Sequence, residues 1–429
     1  MFVYVLNKHG EPLMPCKPRK ARILLKENKA KVVNQTPFTI QLLYGSSGYK
    51  QSVNLGVDAG SKHIGLSATT KKQEVFKATV ELRQDISKLL ETKRILRRGR
   101  RNKLRYRPPR FNNRGKKGKV PPSIQHKIDC HINIIKKVCS IIPVENIIIE
   151  SAEFDMHKLK NPDISGKEYQ NGDAKGYYNV KQAVLSRDNY TCQICGKQKK
   201  HLHVHHIVFK SKGGSNRMDN LVTLCPECHE KIHKGELKFN KKVKTYKHAT
   251  HMNIIRKKVV EALKKEYTNV YETYGYLTKY YREKLGIIKS HCNDAFIISQ
   301  HFKAEPLDVE YCCRKVRRHN RQIHKAKPGK GGKRQRTQSV YIVNGYRRHD
   351  KVQYKDITCF ITGKRSSGYF QLKTFDGTVI SQGVSSKKLK LIEPAKGWLI
   401  DWRLAIPHRP KEVSVSLPKR KMNILISIF

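Results

Sequence analysis

Val53-Asn54-Leu55-Gly56-Val57-Asp58, followed by Ala59-Gly60-Ser61, reads as an apolar strand that ends in an acid and a turn. Outward from it, residues 63–68 read as a second strand beyond the Gly60-Ser61 turn. Residues 75–82 read as a third, joined through polar Thr70-Lys71-Lys72-Gln73, so the three form a meander. Asn146-Ile147-Ile148-Ile149-Glu150 repeats the pattern. Its unbroken apolar centre marks a strand buried on both faces, and it too closes on an acid. Residues 291–301 read as a helix carrying Asp294, with His291 one turn earlier on the same face. One acid at a strand end commonly caps a turn. Three that converge can hold two Mg²⁺ ions, one activating a water and one stabilising a leaving oxygen. Asp58, Glu150, Asp294 and His291 are therefore candidate catalytic residues, the three acids as magnesium ligands.

Charge narrows the partner. The 429 residues carry 89 Lys+Arg against 34 Asp+Glu, a formal net charge of +55. A compact chain so charged repels itself unless a polyanion neutralises it, and nucleic acid is the commonest polyanion. Much of the charge is local: Arg97, Arg98, Arg100, Arg101, Arg105, Arg107 and Arg110 are interleaved with Tyr106 and Phe111. They follow a helical pattern begun by Ile86, Leu89, Leu90 and Leu96. Guanidinium groups fork onto phosphates whatever the base sequence, so these are candidate nucleic-acid-binding residues. A hydrophobic fraction of 38% suffices for packed cores, and the length suggests roughly two to four domains. No apolar run approaches the roughly 18 residues of a membrane span, and Met1 to Gly10 lacks a signal-peptide pattern. No membrane partner is expected.

The 11 cysteines exclude a disulfide framework, because only four are regularly spaced. Cys192-x-x-Cys195 and Cys225-x-x-Cys228 direct paired thiolates to common points and converge readily on one structural Zn²⁺. Between them lie Val204-His205-His206-Ile207, Gly213-Gly214-Ser215 and Asp219-Asn220-Leu221, and His229 follows Cys228. This order resembles the HNH endonuclease family in its four-cysteine zinc form, with its ββα-metal fold. The resemblance implies His206 as general base, His205 and His229 as ligands of one Mg²⁺, and Asn220 as the residue that positions the loop carrying His206. His201 and His203 are read as phosphate-facing or structural.

Elsewhere, residues 3–6 and 38–42 read as strands, 11–15 as a turn-rich stop and 21–28 as a basic helix. Ile124, Ile128, Ile132, Ile135 and Cys139 trace one helix face, and Met252, Ile255, Val259 and Leu263 another. Residues 270–274 read as a strand. Beyond about 305 the chain is basic and then β-like, with strands such as 339–343 and 369–374.

The pieces Gly56-Val57-Asp58-Ala59-Gly60-Ser61, Ile148-Ile149-Glu150-Ser151 and His291-Cys292-Asn293-Asp294-Ala295 together resemble a RuvC-type nuclease. The zinc block falls between the second and third acids. With Pro12-Leu13-Met14-Pro15 near the start and the arginine segment as a bridge helix, the chain resembles IscB, the transposon-encoded relative of the type II CRISPR effectors. The resemblance implies an α/β multidomain fold. It comprises an RNase H-like (RuvC) core, an inserted ββα-metal HNH domain with a four-cysteine zinc site, a small N-terminal α+β module and a C-terminal β-rich domain.

The expected division is 1–50 PLMP-type module, 51–82 RuvC-like part I, 83–115 bridge helix, 116–155 part II, 156–180 linker and 181–234 HNH. It continues with 235–248 linker, 249–305 part III and 306–429 basic C-terminal domain, interacting with a target-adjacent motif. The implied activity is RNA-guided cutting of double-stranded DNA, with the HNH site on the guide-paired strand and the RuvC-like site on the displaced strand. Implied partners are a noncoding guide RNA and duplex DNA, bound by a monomeric ribonucleoprotein in a prokaryotic cytoplasm, at the nucleoid when on DNA. Two other readings compete: a protein-guided HNH/RuvC nuclease of homing type, and a non-catalytic zinc RNA-binding protein.

Overall fold

A computed structural model describes residues 1–45, 48–102, 120–151, 176–199, 201–209, 214, 216–237, 247–317 and 340–408. It divides into two compact units, Met1–Ala152 with His251–Phe429, and Glu153–Thr250.

The first unit opens with β1 (Val3–Leu6), β2 (Pro12–Cys16), α1 (Pro18–Lys26), β3 (Ala30–Asn34) and β4 (Thr39–Leu42), in a sheet ordered β2-β1-β4-β3. Strand alternation on β1 sends Val3 and Val5 into the module's own core, with Leu13, Ala21 and Ile40. Tyr4 faces the other way. Its hydroxyl donates to Val75 O at 3.1 Å and its ring meets Phe76 edge-on. The expected turn at 11–15 is instead strand β2. The reversal occurs earlier, where Asn7 Oδ1 accepts from the backbone of His9 and Glu11 and Gly10 takes φ +87°. Pro12 and Pro15 are tolerated because β2 is an edge strand.

The principal sheet contains β5 (Asn54–Ala59), β6 (His63–Thr69), β7 (Glu74–Glu81), β8 (Asn146–Glu150), β11 (Val270–Thr273), β12 (Val309–Lys315) and β18 (Trp398–Leu404). Among the described residues its order is β11-β8-β5-β6-β7-β12-β18. β5, β6 and β7 form the expected antiparallel meander, while β8 runs parallel to β5, and β11 parallel to β8. Helices α2 (Ile86–Asn102) and α3 (Pro122–Cys139) precede β8. The second unit carries α4 (Val180–Arg187), β9 (His203–His206), β10 (Leu221–Leu224) and α5 (Pro226–Lys234). Helix α6 (Lys247–Lys264) leads back into β11, and α7 (Gly275–Lys284) and α8 (His291–Ile298) follow.

Strands β13 (Lys351–Tyr354), β14 (Ile357–Lys364), β15 (Tyr369–Lys373), β16 (Val379–Ser385) and β17 (Lys390–Glu393) make a separate antiparallel sheet. The stretch 306–429 therefore contributes its first and last described strands to the principal sheet. The strand expected at 339–343 is not formed over 340–343. Asn344 and Gly345, both at positive φ, close a tight turn that pairs Val343 with Tyr346 only as an isolated bridge. Ser339 lies outside the described residues.

Two glycines decide how closely α8 seats on the sheet. A Cβ on Gly65 would lie 1.8 Å from His291 O, and one on Gly56 2.0 Å from Ala295 O. Both obstacles are backbone and cannot rotate away. Gly65→Ala should therefore cost about 3 kcal/mol or more, because overpacking here can only be relieved by moving the helix. Urea denaturation tests it, and a wild-type midpoint would contradict the close packing.

Candidate active sites

The seat of α8 brings the sequence-distant acids to one region. Asp58, near the end of β5, is buried, and its Oδ2 lies 2.7 Å from His291 Nδ1 on α8. That hydrogen bond, ahead of the opposing effect of burial, raises the affinity of His291 for a proton. Glu150 ends β8, where its Oε1 accepts from Arg256 at 2.7 Å. The same guanidinium reaches Ala59 O at 3.3 Å. Asp294 Oδ1 accepts from Arg282 of α7 at 2.9 Å.

Burial pushes the Glu150 and Asp294 carboxyls up, and the charge of Asp58 pushes both in the same direction. The three acids thus feel one another. Their negative charge is met by two arginines that sequence reasoning missed. Nothing local in the sequence marks Arg256 or Arg282, since each meets its acid only through tertiary packing.

A second centre forms in the other unit. Among the described residues there are two groups of candidate ligands, and within each group the ligand atoms all lie within 4.8 Å of one another. One is Cys192, Cys195, Cys225 and Cys228. The Cys195 and Cys225 sulfurs stand 3.9 Å apart. The edge of a tetrahedron with zinc–sulfur bonds is about 3.8 Å, so the quartet fits Zn²⁺. Cys225 caps α5, Pro226 starts it, and Gly235 at φ 86° ends it.

The other group is His205, His229 and His233. Their ring centroids form a near-equilateral triangle, with separations of 5.0, 4.6 and 5.1 Å. Burial, then the neighbouring imidazoles, holds His205 down to about 4, so it is neutral and able to ligate near pH 7. His233 was missed by sequence reasoning. Its signal was the spacing His229-Glu-Lys-Ile-His233, which places both imidazoles on one face of α5. Three imidazoles and no carboxylate also fit a borderline transition ion better than the expected Mg²⁺, which prefers oxygen ligands. His233→Ala should weaken metal binding at this centre by tenfold or more, as about 1.4 kcal/mol of lost ligation already would. Calorimetric titration with Mn²⁺ checks it.

His206 follows His205 on β9 and so points to the opposite face. Its Nε2 lies 2.9 Å from Asn216 Oδ1. Asn220 is almost fully buried; its Oδ1 accepts from Val208 N at 2.8 Å and its Nδ2 donates to Val208 O at 3.2 Å. It clamps the peptide two residues after His206. A Cβ on Gly214 would strike Val208 O at 1.7 Å, so this loop tolerates only glycine there. Arg187 and Asp188 brace the strand behind it: Arg187 donates to Met218 O and Leu221 O, and Asp188 accepts from Thr223 N. His201 and His203 are exposed, and the His203 ring lies 5.2 Å from that of His229.

Of the arginine segment, Arg97, Arg98, Arg100 and Arg101 lie on α2, with Arg98 exposed. Arg105, Arg107 and Arg110 lie outside the described residues. Among the described residues, no helix is long and apolar enough to cross a membrane.

A family model described as RRXRR protein matches residues 3–172, and Arg97-Arg98-Gly99-Arg100-Arg101 spells that pattern. A model described as HNH endonuclease matches residues 192–235. The chain is 40% identical over 61 residues to Anaredoxin of Nostoc sp. (strain PCC 7120 / SAG 25.82 / UTEX 2576), covering 14% of this chain and 80% of that protein. It is 37% identical over 62 residues to the type IV methyl-directed restriction enzyme EcoKMcrA of Escherichia coli (strain K12), covering 13% of this chain and 22% of that one. A Streptococcus thermophilus Cas9 in complex with the AGAA PAM aligns with 48% of this chain at 16% identity and a TM-score of 0.34. The chain spans 30% of that Cas9 chain.

Proposed function

We propose that this chain is an IscB-like HNH endonuclease, a metal-dependent DNA nuclease, and that it cuts double-stranded DNA under the direction of a bound RNA, with two separate centres. The observation that carries the reading is the point of insertion. The chain leaves the principal sheet after Glu150, builds the histidine unit Glu153–Thr250, and returns to lay β11 beside β8. A second ligand-bearing centre thus sits in the connection between neighbouring strands of the acid-bearing sheet. The meander β5-β6-β7 with parallel β8 and β11 supports an RNase H-like, RuvC-type core.

In the histidine centre, His205, His229 and His233 would hold one divalent cation. In the acid centre, Asp58, Glu150 and Asp294 would hold two Mg²⁺. At both, the bound cations supply positive charge to the scissile phosphate and lower the pKa of water. His206 takes the proton of the attacking water in the histidine centre. Asn216 Oδ1 can only accept, which keeps Nε2 protonated and leaves the Nδ1 lone pair as the base. Asn220 holds the backbone that aims this imidazole. In the acid centre, Asp58 holds Nδ1 of His291 and leaves Nε2 to take a proton. Arg256 and Arg282 keep Glu150 and Asp294 oriented and oppose the upward push of burial on both carboxyls.

The histidine centre acts on the strand paired with the guide, and the acid centre on the displaced strand. The arginines of 83–115 track the guide backbone, and 306–429 contacts the target-adjacent motif. In such systems base pairing supplies sequence specificity and protein contacts read backbone shape.

The test is to express the gene with its flanking DNA, sequence the RNA that stays bound, and assay cutting of a matching plasmid with Mg²⁺ and Mn²⁺ present. Linear product that disappears on RNase treatment is expected. Cutting that survives RNase treatment would replace the guide with protein readout. His206→Ala should leave only a nick in the displaced strand, read by strand-specific end labelling.

A further inference from the structure

Helix α7 presents an aromatic face that neither centre uses. Tyr276, Tyr280 and Lys284 recur at every fourth residue and so lie in one stripe. Tyr276 is 68% exposed and Tyr280 54%. Tyr274, 54% exposed, stacks on Tyr276 at 5.9 Å with planes 17° apart. Lys284 Nζ lies 5.7 Å from the Tyr280 ring centre. The opposite face of α7 is occupied: Thr278 is buried, Tyr281 stacks on Phe302 at 4.6 Å, and Arg282 bonds Asp294. The exposed rings are therefore not surplus core residues turned outward. The helix already has its packing face.

We propose that the stripe Tyr274, Tyr276, Tyr280 and Lys284 is a stacking platform for unpaired nucleotides of the DNA strand delivered to the acid centre; this rests on the reading of that centre as a nuclease. Three features select that occupant. Exposed contiguous aromatic surface marks a binding site. With Arg282 held by Asp294, Lys279, Lys284 and Lys289 stand against one acid, Glu283, between residues 275 and 290, which suits a polyanion. A polyanion with flat apolar faces available for stacking is a single strand, since the bases of a duplex are already stacked on each other.

Position selects the strand. α7 begins against the acid centre, where a Cβ on Gly275 would lie 3.0 Å from Glu150 Oε1. Tyr276 and Tyr280 are about 6 Å apart along the helix axis, which gives successive unstacked bases separate rings.

The test uses the full chain with its bound RNA, Ca²⁺ in place of Mg²⁺, and a 20-nucleotide thymidine strand carrying one 5-iodouracil. Removing a stacking ring weakens strand binding roughly 5- to 150-fold. The double variant Tyr276→Ala, Tyr280→Ala should show at least that loss. It should persist in high salt, where contacts made by charge alone fade. Tyr276→Phe with Tyr280→Phe should bind as the natural protein does, because only the ring is needed. Light-induced crosslinks should map to the stripe. With Mg²⁺, the alanine pair should slow cutting of the displaced strand and spare cutting of the paired one.

Natural affinity and displaced-strand cutting in the alanine pair would overturn the platform, as would crosslinks from the thymidine strand that map away from this stripe. Asp58→Ala separates the two ideas. It should bind the thymidine strand normally yet fail to cut the displaced strand of a target. If it cuts, the acid centre is misassigned, while the tyrosine variants still decide whether the stripe binds the strand.

Discussion

Asp58→Ala should abolish cutting of the displaced strand, by about a thousandfold or more, and leave the guide-paired strand cut at its usual rate. Removing one preorganised electrostatic group from a reacting centre commonly costs about 10²–10³ in rate. Asp58 holds His291 at 2.7 Å and, on the proposed reading, would also be a magnesium ligand. Its loss also leaves Glu150 and Asp294 with a weaker shared field, since its charge acts on both. Asp58→Asn is the sharper variant. It keeps the shape and the hydrogen bond to His291 but removes the charge, so an equal loss would place the effect on ligation rather than packing. The readout is conversion of a supercoiled plasmid to an open circle, with the surviving cut mapped by strand. Linear product at the natural rate from either variant would show that the acid centre does no cutting.

Cys225→Ser should unfold the histidine unit and silence guide-strand cutting while displaced-strand cutting persists. Little besides that metal site holds the unit together. Among the described residues, the apolar cluster around its four cysteines is Cys192, Val222, Leu224, Cys225, Cys228 and Ile232, half of it cysteine, and beside it only Ala183, Val184, Leu185 and Leu221 are buried hydrophobics. A core that small does not fold alone, and structural zinc in such modules supplies about 10–16 kcal/mol of apparent folding free energy. Serine is a good helix N-cap, so the substitution retains the cap that the Cys225 sulfur now provides to Cys228 N and removes only the thiolate. Helix α5 carries both His229 and His233, so its loss disperses the second metal cluster too. Zinc analysis should fall from one equivalent toward none, and calorimetry should lose one transition and keep the other. Full zinc content with unchanged guide-strand cutting would contradict this account.

Much of the architecture was legible because it rests on local rules. The cysteine pairs name their metal through thiolate spacing, and Gly235 ends α5 because only a residue free of a Cβ enters the left-handed region without cost. The strand Asn146–Glu150 is marked by an apolar run too short for a helix, and the meander by its alternating breaks. Position 233 is equally local, one helical turn after His229, but the HNH motif order as matched in the sequence ends at His229. The edge strand Pro12–Cys16 was misread because proline argues for a turn wherever strand position is unknown, and edge position is a property of the assembled sheet.

The sequence by itself therefore determined a basic chain with two cysteine pairs spaced for one metal ion and with acids at two strand ends and on one helix, since charge, ligand spacing and apolar period are written in single segments. Only the tertiary structure decided what those acids meet. Gly56 and Gly65 let α8 approach the sheet until His291 reaches Asp58, and packing then brings Arg256 and Arg282 to the other two carboxylates. It also chose which face of α7 stays outside. The strength of a contact between charges or rings depends on distance, and residues far apart in the chain acquire a distance only on folding.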